Sequence, residues 1–233
     1  MKKLIGLGLC MVVMAALAVG LPQEANGQSA GLVSSVLNRL EKNRADLKSL
    51  RAGISMEKYN SQLRDTEKSF GVLAYIPGVG KTASVRLEWN KPQHEILAVA
   101  NNRYTLFRPR LGEAYTGIVG GKGSPKGSGN ILELLNMNRQ QLQTRFEPFQ
   151  DVREETLWGG VSTIHLKLVP KGGASYKYAE IWVDSSGMPV QSKVVEKNDD
   201  ATIIRLNNPE RNVKISSDEI TLKLDPKVKI IKT

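Results

Sequence analysis

Apolar residues recur along most of this chain at every second position, in runs short enough to be strands. Residues 83–89 alternate most cleanly. Val85, Leu87 and Trp89 fall on one side and Arg86 and Glu88 on the other, the pattern of a half-buried antiparallel strand. Residues 49–59 and 70–76 predict a long strand pair joined by the polar stretch 60–68. Asn90-Lys91-Pro92 turns the chain and 95–100 returns, then Asn101-Asn102 turns it into 104–107, and 114–119 adds another strand. Further strands are predicted at 154–158, 161–169, 178–183, 188–196, 201–206 and 213–215, and along the tail 220–231. Those between 178 and 206 form a meander whose turns are Asp184-Ser185-Ser186-Gly187 and Lys197-Asn198-Asp199-Asp200.

Helical spacing predicts three further elements. Leu32, Val33, Val36, Leu37 and Leu40 share one face of a helix that Ser29 caps and that runs to about Asn43. An amphipathic helix of this kind needs a surface to lie on, and the strands that follow supply it. Residues 130–137 and 139–146 predict two brief helices rich in Leu, Met and Phe. About eleven short strands with three helices exclude an alternating α/β fold. They predict a mainly β (α+β) chain: one antiparallel sheet curled into an incomplete, unclosed barrel, with the helices as a lid over its apolar concave face.

Composition changes this picture chiefly at the start of the chain. Lys2 and Lys3 precede an uncharged apolar run at 4–19, and Ala25-Asn26-Gly27 places small residues at −3 and −1 of a cleavage site before Gln28. That run is shorter than the ~20 residues of a spanning helix. Residues 1–27 are therefore predicted to be a cleaved secretory signal and 28–233 a single exported domain. The one cysteine, Cys10, lies inside the signal and follows Leu9, not the small residue a lipidation box needs, so the mature chain has no thiol chemistry. Removing Lys2, Lys3 and Glu24 leaves 31 basic against 22 acidic residues, scattered through nearly every segment. The excess reads either as attraction to an anionic membrane surface or acidic partner, or as a merely solvated basic surface. An exported protein meets little nucleic acid, and none is expected as a partner.

Candidate chemistry is sparse. His94 and His165 are the only histidines and neither lies in HExxH, so a zinc site would lack its usual ligands; His94 is expected at the surface and His165 as an outward neighbour of Lys167. No GxSxG elbow exists. Glu154-Glu155 and Asp199-Asp200 are sequence neighbours, which point to opposite faces of a strand and make no acid–base pair. The stretch 120–130, GGKGSPKGSGN, lacks the Gly-Lys-Ser/Thr order of a phosphate loop and reads as a connector. The expectation is a binding protein, not an enzyme, with no catalytic residue, metal or cofactor. What remains is an excess of apolar side chains on partly enclosed segments: Leu87, Trp89, Leu106, Leu134, Leu135, Met137, Phe146 and Trp182. They read as core or as the wall of an adaptable apolar cavity. Ile181, Trp182 and Val183 are apolar in succession, so both faces of that strand are expected to be covered.

The order and spacing of several motifs carry a resemblance. GVLAYIPG stands at 71–78, RLEW at 86–89, YTLFRP at 104–109 and WVDSSGMP at 182–189, after an amphipathic first helix. Together they resemble the periplasmic lipoprotein carrier LolA and the wider group of outer-membrane lipoprotein-sorting proteins, over about residues 29–231. The resemblance implies an incomplete antiparallel barrel with a helical lid, monomeric and periplasmic. It implies a carrier that accepts acylated lipoproteins from an inner-membrane lipoprotein-releasing ABC transporter. The carrier shields their acyl chains in an apolar cavity and passes them to an outer-membrane acceptor, binding no ATP itself. Leu87, Trp89 and Leu106 are the strand positions it carries over to the ligand. The alternative within the same half-barrel is a periplasmic regulatory sensor that binds a partner protein or lipid. One departure stands out. Family members often have a basic residue just before a proline at the end of the second strand, tying barrel to lid, whereas this chain reads Ile76-Pro77-Gly78 and its nearest cation is Lys81. The expected latch is therefore Lys81, a different residue, or none at all.

Overall fold

The computed structural model of the protein describes residues 25–78, 83–119 and 138–233. Helix α1 (Ala25–Asp46) leads into the hairpin β1 (Leu50–Asn60) and β2 (Asp65–Ile76). The strands β3 (Ser84–Lys91), β4 (Glu95–Ala100), β5 (Arg103–Arg108) and β6 (Glu113–Ile118) follow as a meander. After α2 (Arg139–Arg145) a second meander runs through β7 (Gln150–Leu157), β8 (Val161–Leu168), β9 (Tyr176–Asp184), β10 (Pro189–Glu196) and β11 (Ala201–Arg211). The one-turn helix α3 (Ser217–Ile220) and the short strand β12 (Lys229–Lys232) complete the chain. Among the described residues twelve strands form one sheet, in the order β12-β6-β5-β4-β3-β2-β1-β11-β10-β9-β8-β7, with distinct strands at its two edges. It is the expected open half-barrel, antiparallel throughout except where β12 runs parallel to β6.

Strand register divides the sheet into two faces. Leu50, Ala52, Ile54 and Met56 of β1 alternate with Arg51, Gly53, Ser55 and Glu57, and their cross-strand partners continue the same face through Leu73, Leu87, Leu97 and Leu106. This inner face supplies most of the larger buried cluster, with Leu50, Leu73, Tyr75 and Leu87 each 1% exposed or less. Toward the other end of the sheet the same face continues through Ile204, Ser192, Ile181 and Leu166. There α1 lies on it. Val36, Leu37 and Leu40 are buried against Ile164, Leu166, Ile181 and Val194, and Leu142 and Phe146 beside α2 join them. The apolar stripe of α1 thus finds its surface on the second meander, not on the strands that immediately follow it.

The β9–β10 turn pins that arrangement. Asp184 Oδ1 accepts hydrogen bonds from the amides of Ser186 and Met188 at 2.8 and 2.9 Å and from the Ser186 hydroxyl at 2.7 Å. Gly187 closes the turn at φ +83°, and its Cα faces the backbone of Arg39 on α1 closely enough that no Cβ fits between them.

Several expectations change. The predicted strand at 213–215 is irregular, and the tail contributes only β12, because residues 212–228 cross the outer face as a strap. The helix expected at 130–137 lies outside the described residues. His165 is 1% exposed, not an outward neighbour of Lys167. It does share that side of β8, but the indole of Trp182 covers it, with ring centroids 4.7 Å apart.

Candidate functional site

Of the nine residues singled out in the sequence, five are among those described. Trp89 and Leu106 line a cavity of 470 Å³ on the inner face, together with Met56, Leu97, Tyr104 and Tyr115. Leu87, one step deeper on β3, is 1% exposed and belongs to the filled core. Phe146 packs under α1 with Leu142 in the second cluster, away from the cavity lining. Trp182 lies on the opposite face from Ile181, since Ile181 pairs in register with Leu166 and Trp182 with His165. Its indole is 6% exposed, within a cluster that includes Leu157 and Val190. Leu134, Leu135, Met137 and the candidate latch Lys81 lie outside the described residues.

The cavity is built by strand ends. On β1 and β5 the inner-face alternation closes with an apolar residue and then a cation, Met56 and Lys58, Leu106 and Arg108; on β3 a bulge after Trp89 sets Lys91 opposite Phe70, and Lys91 also lines the cavity. On β2 and β4 the matching positions are Glu67 below Ser69 and Glu95 below Leu97. An apolar floor therefore opens through a charged mouth at the end of the sheet where the β1–β2, β3–β4 and β5–β6 turns lie. The charges are unevenly used. Arg108 Nε donates to Glu95 at 2.8 Å, and its guanidinium lies 5.2 Å from the centre of the Tyr115 ring. The Tyr115 hydroxyl donates to Glu113 at 2.8 Å, and that bond, with a second from Lys229, holds the Glu113 carboxyl below its usual range. Lys58, Lys91 and Glu67 form no ion pair among the described residues. The Tyr104 hydroxyl sits 2.5 Å from Thr233 Oγ1, which ties the last residue of the chain to the cavity wall.

A second hollow, of 580 Å³, lies on the outer face beneath the strap, over Gly53, Val72 and Ala74. Its charged groups are consumed by one another. Arg51 binds Glu219 at 2.6 Å and Glu210 at 3.4 Å, while Arg86 binds Glu88 at 3.0 Å and the Thr221 carbonyl at 3.1 Å. Burial works to raise the Glu88 carboxyl, and hydrogen bonds from His94 and Arg86 outweigh it, so the group is held down. These bonds fasten the strap to the sheet. The inner cavity is the candidate site. A mixed lining of this volume suits one small ligand, for which pockets measure ~300–1,000 Å³. Among the described residues no group of three metal-ligating side chains stands together.

No family model matches the sequence, and no curated protein matches it. Solved structures do. MucB superposes with a TM-score of 0.53 at 13% identity, over 82% of this chain and 62% of MucB. The likeness is one of fold. The MucA/MucB complex of Pseudomonas aeruginosa gives 0.50 at 11% identity, over 88% of this chain and 64% of the other. The LolA superfamily protein NE2245 of Nitrosomonas europaea gives 0.40 at 9% identity, over 81% and 97%. The chain spans less than two thirds of MucB's length.

The sequence reading missed Lys58, Lys91 and Arg108. Their signal was an apolar residue followed two positions later by a cation, three times over, on strands that share a face.

Proposed function

We propose that the protein is a periplasmic carrier of the LolA type, which shields an acyl chain in the inner cavity while its cargo crosses an aqueous compartment. The observation that supports this reading most is the floor of Met56, Trp89, Leu97 and Leu106, reached from one end of an open sheet whose remaining inner face is filled by core and helix. Hydrating a chain costs ~0.8 kcal/mol per methylene, so an acylated cargo needs such shelter. Lipoproteins are the cargo that the resemblance implies, with an inner-membrane lipoprotein-releasing transporter as donor and an outer-membrane acceptor. The role is binding and release, not catalysis.

A second reading follows from MucB, whose structure has been solved in complex with MucA. On that reading the half-barrel binds a partner protein and reports on the envelope. Native mass spectrometry of protein purified from the periplasm separates the two. Acylated cargo bound to the chain is the result expected of a carrier. A bare chain, even with the transporter co-expressed, together with one stable protein partner in a pull-down, would favour the sensor.

A further inference from the structure

The charged mouth of the inner cavity says something about cargo that the apolar floor does not. Five charged side chains line it: Lys58, Lys91 and Arg108 against Glu67 and Glu95. Arg108 and Glu95 neutralise each other at 2.8 Å. What is left is two ammonium groups and one carboxylate, Glu67, which faces Lys58 in register across β1 and β2. Both lysines are exposed at the rim, one residue pair above Met56 and Trp89, so each ammonium stands where the apolar wall ends. Cations at the lip of an apolar slot that form no ion pair among the described residues match a ligand whose hydrocarbon ends in a negative group, since charge-assisted hydrogen bonds from ammonium to carboxylate or phosphate are the stronger kind.

Volume sets the other limit. At 470 Å³ the cavity is in the range that encloses one small ligand. Three acyl chains side by side need several times the space of one. The floor is also narrow: Trp89 and Leu106 belong to strands separated only by β4, and Leu97 lies between them.

We infer that the inner cavity takes a single-chain amphiphile with an anionic head group, the chain lying on Met56, Trp89, Leu97 and Leu106 and the head group held by Lys58 and Lys91. This rests on the carrier reading in that the cavity holds an acyl chain, and it departs from a triacylated cargo. A fatty acid and a lysophospholipid share the required chemistry and differ in the anion, carboxylate or phosphate.

The test is calorimetric titration of the delipidated exported protein with twelve-carbon ligands kept below their micellar concentrations. Laurate and lauroyl lysophosphatidylglycerol are the anionic probes, monolaurin the neutral one and dilauroyl phosphatidylglycerol the two-chain one. Binding of at least one anionic single-chain probe at least tenfold tighter than monolaurin and the two-chain lipid is expected. Whichever anion binds tighter names the source. The Lys58→Gln, Lys91→Gln double variant, its fold checked by circular dichroism, should lose that tenfold preference and bind monolaurin unchanged. Equal affinity of monolaurin and the anionic probes in the wild type would overturn the head-group assignment while leaving the carrier reading intact. Retention of the preference in the double variant would overturn the role of the two lysines. A two-chain lipid binding as tightly as the single-chain probes would overturn the single-chain limit, and no binding of any probe would remove the carrier reading as well.

Discussion

Replacing Gly187 by alanine tests how the second meander holds α1. Two costs act at this position. The turn places Gly187 at φ +83°, where an L side chain is strained by about 1–2 kcal/mol. An added Cβ would also fall closer than 3.0 Å to both the carbonyl carbon and oxygen of Arg39, and backbone in a helix has no rotamer with which to retreat. Overpacking of that kind costs about 1–3 kcal/mol. Gly160 is a matched control. It closes the β7–β8 turn with the same amide-to-carbonyl bond, Gly160 to Leu157 at 3.0 Å against Gly187 to Asp184 at 3.0 Å. Its φ is +77°, and a Cβ added there would meet nothing within 4 Å. Both alanines restrict the unfolded chain alike, so that effect cancels in the comparison. Gly187→Ala should therefore destabilise by about 1–3 kcal/mol more than Gly160→Ala. In urea unfolding followed by circular dichroism, with a slope of ~2–3 kcal/mol per molar, its midpoint should fall roughly 0.3–1.5 M further. Loosening of α1 should expose the stripe of Val36, Leu37 and Leu40, read as increased binding of an apolar dye. Equal midpoints for the two variants would refute the docking of the turn against α1.

Three other outcomes are expected. Leu37→Ala, at 2% exposure under α1, should cost about 2–5 kcal/mol in the same unfolding assay, and a change below ~1 kcal/mol would mean that the helix is only loosely seated. Glu219 is held down from 4.5 to about 2, first by the Ser216 amide and then by Arg51, so the folded chain binds its proton less readily than the unfolded chain. Its stabilising contribution is full above about pH 4.5 and vanishes as pH falls toward 2. The urea midpoints of wild type and Glu219→Gln should thus converge over that window, and a constant gap would contradict the fastening of the strap by Glu219 and Arg51. Leu106→Asp should keep the fold and weaken binding of a lauroyl chain at least tenfold, whereas Leu87→Asp should unfold the protein because it buries a charge in filled core. The reverse pattern in circular dichroism would exchange wall for core.

The strands were legible where one face is buried and the other wet. Val85, Leu87 and Trp89 alternate because only one side of β3 meets the core, and the five apolar positions of α1 declare a single stripe. Legibility failed where burial comes from elsewhere in the chain. His165 looks like a surface residue beside Lys167, but a buried indole one strand away covers it. The strap at 212–228 has no periodicity because side-chain bonds to Arg51 and Arg86 fasten it, not an apolar face. The candidate site was half legible for the same reason. Trp89 and Leu106 announce apolar walls, while the cations beside them are three among many in a basic chain. Only the folded sheet, with a bulge on β3, brings Lys58, Lys91 and Arg108 to one rim. Trp182 shows the limit of reading three apolar neighbours in a row: both faces of β9 are indeed covered, and it is Ile181, not the indole, that meets the helix.

The central claim is that an acyl chain lies on Trp89. Quenching of tryptophan emission by a fatty acid brominated along its chain tests it most directly, since bromine acts only near contact. Trp158, at 87% exposure, is first replaced by phenylalanine to remove background, which leaves Trp89 in the cavity and Trp182 on the opposite face. Saturable quenching that disappears when Trp89→Phe is added is the result expected. Quenching that survives that substitution, or none at saturating ligand, would contradict the account.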